Sequence, residues 1–91
     1  MRIYNSIQRF VSRYYMQFPS YRLLRKCQVI YYNYAYAFGI VEKLDIKGYT
    51  VWDLFEFINP ADGEGEPFIH PLREYSTEQR AYIAFVALTD L

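Results

Sequence analysis

Few residues of this 91-residue chain could do covalent or metal chemistry, and their spacing argues against most of it. The one histidine, His70, stands in Phe68-Ile69-His70-Pro71, with Glu74 and Ser76 downstream. A general base needs a proton donor or nucleophile within hydrogen-bond reach and a group that orients it. No spacing links His70 to such a pair, so it reads as a loop histidine. The one cysteine, Cys27, falls on an apolar stripe and reads as a small packing residue. A single cysteine also excludes an intrachain disulfide framework and a multi-cysteine zinc site.

Asp62-Gly63-Glu64-Gly65-Glu66 has the composition of a calcium loop, since hard cations want several carboxylates on a flexible turn. It fails at two decisive positions. Pro67 stands sixth, where glycine makes the sharp turn, and Arg73 stands twelfth, where a bidentate Glu belongs. The chain has no phosphate-binding glycine loop, no H-E-x-x-H and no G-x-S-x-G. The expected class is therefore non-enzymatic, with no catalytic residue, cofactor or metal.

Charge and aromatic content say more. The formal net charge is zero, yet residues 1–41 hold six basic residues and no acid. Residues 42–91 hold ten acids against four bases, a local net of −6. Eight of the eleven tyrosines precede residue 37, in the basic half. Such asymmetry points to a polar partner or an internal pairing. Arg and Tyr are the residues of interface hot spots, bringing contact area and planar hydrogen bonding at low entropy cost. Arg2, Arg9, Arg13, Arg22, Arg25, Lys26, Tyr32 and Tyr36 form the expected partner-binding face. Asp53, Glu56, Asp62, Glu64 and Glu66 form a secondary acidic patch.

Four partners suit these residues to different degrees. A larger protein with an acidic surface asks least, because a dipolar surface steers association without net charge. Occlusion of that surface is the expected mechanism, as in small inhibitors and adaptors. Phage-encoded inhibitors of bacterial defence are of this kind, an association by size alone. Nucleic acid would suit arginines that neutralise phosphate and tyrosines that stack on bases, but ten carboxylates would repel it. A membrane surface would suit the first segment as a basic amphipathic helix, although its arginines lie at the pole of the polar face. Self-association of basic half on acidic half is the fourth reading.

The elements expected to carry these residues are helices. Ile3, Ile7, Phe10, Val11, Tyr14 and Phe18 share one helical sector, with Arg2, Arg9 and Arg13 opposite, and Pro19 ends the segment. Ser20 would cap a second helix with Leu23, Leu24, Cys27, Ile30, Tyr31, Tyr34 and Phe38 inward, closed by Gly39. Over residues 28–40 a strand competes, because Tyr32, Tyr34, Tyr36, Phe38 and Ile40 alternate. Thr50 and Asp53 would open a third helix through Ile58, after a break at Lys47-Gly48. A long acidic Pro/Gly loop spans about 59–75, and Ser76 with Gln79 caps a last helix burying Ala81, Tyr82, Phe85 and Leu88. The expected fold is a single all-α domain over 1–91 with about four helices, or α+β if 28–40 is a strand. The longest uncharged run, Cys27 to Val41, is too short to span a bilayer, so a soluble cytoplasmic chain is expected.

Overall fold

A computed structural model of the chain describes residues 7–18, 20–31, 34–60 and 67–89, with side chains at all of these but 28–31, 34–36 and 59–60. Helix α1 (Ile7–Tyr15) is followed by strands β1 (Tyr21–Tyr31), β2 (Tyr34–Leu44), β3 (Thr50–Pro60) and β4 (Phe68–Tyr75), then helix α2 (Glu78–Thr89). The strands pair in sequence order, all antiparallel, as a four-stranded meander. This is a small α+β fold, and the all-α expectation is wrong. The segments read as second and third helices are β1 with β2, and β3. The supposed loop from 59 to 75 contains β4, and its acidic residues 62, 64 and 66 lie outside the described residues.

Burial on both faces is the physical reason for the misreading. Side chains alternate across a strand, so one strand feeds two cores when each face is covered. Ala37 and Val41 of β2, with Phe55 and Phe57 of β3 and Ile69 of β4, pack under α1 through Ile7, Val11 and Tyr15. Phe38, Ile40 and Leu54 pack on the other face under Ala81 and Phe85 of α2. The central strands β2 and β3 are therefore apolar over most of their length, and such a run satisfies a helical stripe by default. The supposed second-helix stripe, Leu23 to Phe38, in fact spans two paired strands.

Two bulges adjust the sheet. Leu24 is the extra residue of β1 between Leu23↔Val41 and Arg25↔Ile40, which puts Leu23 on the α1 core and Leu24 on the α2 core. Leu72 is the extra residue of β4, opposite Leu54 and Phe55. The break expected at Lys47-Gly48 is the β2–β3 turn. Asp45 Oδ1 accepts from the Lys47 and Tyr49 amides, both at 2.9 Å, and Gly48 takes the positive φ of 88°.

Helix ends follow their chemistry. Helix α1 buries Ile7 and Val11 and exposes Arg9 and Arg13 as its periodicity predicts, but Tyr15, not in the expected sector, is wholly buried while Phe10, Tyr14 and Phe18 are only partly so; Ile3 lies outside the described residues. Ser20 is no helix cap but a left-handed residue (φ 49°) leading into β1. Thr77 rather than Ser76 caps α2, its Oγ1 accepting from the Arg80 amide at 3.2 Å. Gly39, expected at a helix end, sits inside β2 with the Phe55 ring against it.

A methyl group at Gly39 would run into that ring and lie 2.7 Å from the backbone oxygen of Arg25. Gly39→Ala is expected to lower stability by about 1–3 kcal/mol, because the strand backbone cannot yield as a flexible side chain would. A denaturant midpoint that does not move would show that the strand spacing at this position is wrong.

Candidate functional site

The chain's most concentrated polar chemistry lies beneath α1. Lys43 and Asp53 are each only 5% exposed, and Lys43 Nζ sits 3.2 Å from Asp53 Oδ2. The Tyr15 hydroxyl donates to the same oxygen at 3.0 Å. Glu74 brings a second carboxylate to 3.4 Å from Lys43, and the Phe18 ring faces the ammonium at 3.7 Å. Burial, then the neighbouring Asp53 carboxylate and the hydrogen bond to it, hold the Tyr15 hydroxyl protonated well above its ordinary range. Tyr15 is wholly buried, so no substrate reaches the hydroxyl. The cluster joins four elements and works as a structural tie.

Among the described residues, the outer side of α2 exposes a strip of apolar side chains. Ala81 to Leu88 are eight consecutive apolar residues, but one helix can turn only part of its circumference to a sheet. Ala81 and Phe85 are buried, whereas Ile83 is 61%, Tyr82 41% and Val86 39% exposed. Tyr82, expected inside, is thus on the surface. Three guanidinium groups border this strip. Arg25 of β1 lies 4.5 Å over the Tyr82 ring. Arg73 and Arg80 line a groove of about 320 Å³ on the β4 side, floored by Tyr75, Ile83, Ala84 and Ala87. None of the three pairs with a carboxylate among the described residues.

The sheet disperses the face expected from the sequence. Arg9 and Arg13 are exposed on α1. Lys26 is exposed on the edge strand β1, and its alternation with Arg25 and Cys27 puts it on the α1 side. Arg22 points the other way and pairs with Glu42 at 3.2 Å, an exposed contact worth about 0–1 kcal/mol. Arg25 joins the α2 surface. Tyr36 pairs through its backbone with Val29 and Ile58, while Arg2 and Tyr32 lie outside the described residues.

The acidic patch is divided as well. Asp53 is buried under α1, and Glu56 lies on the opposite face, 3.6 Å from His70. Among the described residues no three His, Cys, Asp or Glu side chains gather as a metal site, and no helix is long and apolar enough to cross a membrane. Arg73, Arg80, Ile83 and Val86 went unnoticed in the sequence. Their signal was the unbroken apolar run Ala81 to Leu88, which is more than one buried face needs. Comparison with protein-family models, curated proteins and solved structures returned no match.

The Tyr15 environment sets an alkaline limit. Its pKa in the unfolded chain is 10.0 and is higher in the fold, so its contribution is complete below pH 10 and is lost as pH rises further. Between pH 9 and 11.5 the denaturant midpoint is expected to fall more steeply for the wild type than for Tyr15→Phe. Parallel curves would contradict the burial of the Tyr15 hydroxyl beside the Asp53 carboxylate.

Proposed function

We propose that this chain is a non-enzymatic binding protein that sets α2 and its bordering arginines against an acidic surface of a larger protein. By covering that surface it acts as an inhibitor or adaptor, and the cytoplasm is the compartment proposed for it. The observation that carries this reading is the apolar strip Tyr82, Ile83 and Val86, left exposed on a helix whose opposite side is buried. Apolar contact area with an arginine border is the composition of interface hot spots. Arg25, Arg73 and Arg80 have no carboxylate partner among the described residues, so an acidic partner gains three charge-assisted contacts. A two-fold contact between copies would crowd two sets of these arginines around one strip, which favours a different chain as partner. Arg9, Arg13 and Lys26, on the α1 side, add long-range steering rather than contact.

The test is affinity capture from lysate, with and without nuclease, using wild type, Arg73→Glu/Arg80→Glu and Arg9→Glu/Arg13→Glu. A protein retained through nuclease is expected, binding the first variant at least about ten-fold more weakly and the second only a few-fold more weakly. Its binding segment should be rich in Asp and Glu. Equal binding by the α2 variant would overturn the proposal. Recovery of nucleic acid alone, with affinity falling steeply in salt, would replace it with the nucleic-acid reading.

A further inference from the structure

On the other side of the sheet, α1 and the start of β4 enclose a cleft of about 420 Å³, lined by Phe10, Arg13, Tyr14, Gln17, Phe68 and Ile69, with Pro67 at its end. We propose that this cleft binds a small carboxylic acid carried on a flat apolar body, an aryl alkanoate. The volume is at the lower end of small-molecule sites, with room for one ring and its acid chain.

The walls supply apolar area that the fold leaves uncovered. Phe68 is 48% exposed, and Phe10 and Tyr14 are only partly buried although they pack on the α1 core. Phe10 is fixed by its contact with Phe57, centroid to centroid 5.3 Å, so this wall is rigid before any ligand arrives. Rigid rings bury a flat body at little entropic cost.

Arg13 supplies the charge. Its guanidinium carbon lies 5.4 Å from the Phe10 ring centroid, a cation–π contact that keeps the charge beside the aromatic wall, where its N–H groups can fork to a carboxylate. Arg13 is exposed and pairs with no carboxylate among the described residues, and among these no acid lines the cleft. Gln17 donates its amide N–H to the Tyr14 carbonyl at 3.1 Å, which fixes the far wall. Among the described lining residues, one cation and several rings favour an anionic aromatic ligand over a neutral or cationic one.

The probes are 3-phenylpropanoate and its uncharged counterpart 3-phenylpropanamide, titrated to about 10 mM against the ¹⁵N-labelled chain. That range covers dissociation constants near 1 mM. Chemical-shift changes are expected at Phe10, Arg13, Tyr14 and Phe68, with the amide binding about ten-fold or more weakly. Arg13→Gln should lose the same factor, whereas Arg9→Gln, on the same helix but outside the cleft, should bind like wild type. Phe68→Ala should weaken binding several-fold with the rest of the spectrum unchanged. No shifts over this range, equal binding of acid and amide, or equal losses from Arg9→Gln and Arg13→Gln would each overturn the proposal. A peptide ending in phenylalanine that binds far more tightly than N-acetyl-phenylalanine would overturn it in favour of a polypeptide end. The α2 surface lies on the opposite face of the sheet, so these outcomes leave its reading untouched.

Discussion

The buried Lys43–Asp53 pair is the constraint that fixes how the rest of the chain is arranged. An ion taken out of water costs several kcal/mol unless partners surround it, and here the partners come from separate elements. Asp53 of β3 and Glu74 of β4 balance the ammonium of β2, and Tyr15 of α1 caps the shared carboxylate. A slip of one residue between β2 and β3 would turn Lys43 toward α2 and strand Asp53 without its cation. Apolar residues alone could not forbid that slip, because both faces of these strands are apolar. The ion pair therefore distinguishes the two faces and assigns α1 to one of them.

The two helices cover the sheet in different ways. Helix α1 is amphipathic in the ordinary sense, with Ile7, Val11 and Tyr15 inward and Arg9 and Arg13 in water. Helix α2 buries Ala81 and Phe85 and keeps Ile83, Tyr82 and Val86 outside, a continuous apolar strip on the helix itself. The sheet edges are guarded against indiscriminate pairing. β1 carries Arg22, Arg25, Lys26 and a bulge, and β4 carries Pro71, Arg73 and Glu74.

How much was legible in the sequence depends on how each element meets water. Helix α1 could be read because one of its sides is solvated, which leaves a clean 3.6-residue period. The last helix could be placed from its capping residues, although the cap moved from Ser76 to Thr77. Strands β2 and β3 could not be read this way, since burial on both faces erases the alternation that marks a strand. Only over residues 34–40 does β2 keep a visible alternation in the sequence, and the single strand expected over 28–40 in fact covers the end of β1 and the start of β2. Lys43 and Asp53 gave no sign of their role, because only the antiparallel register brings residues ten apart into one cluster. Arg22, Arg25 and Lys26, expected on one face, are divided between the two faces of the sheet, because neighbouring side chains alternate across a strand.

The central claim is that α2 has one side for the fold and one side for a partner. Thermal unfolding of Ile83→Glu beside Phe85→Ala tests it without knowledge of any partner. The account predicts that Ile83→Glu stays within about 0.5 kcal/mol of wild type. Phe85→Ala is predicted to lose about 3–5 kcal/mol, as a core phenylalanine does. A loss from Ile83→Glu comparable to that from Phe85→Ala would show that the outer strip belongs to the core, and the proposed docking surface would not exist.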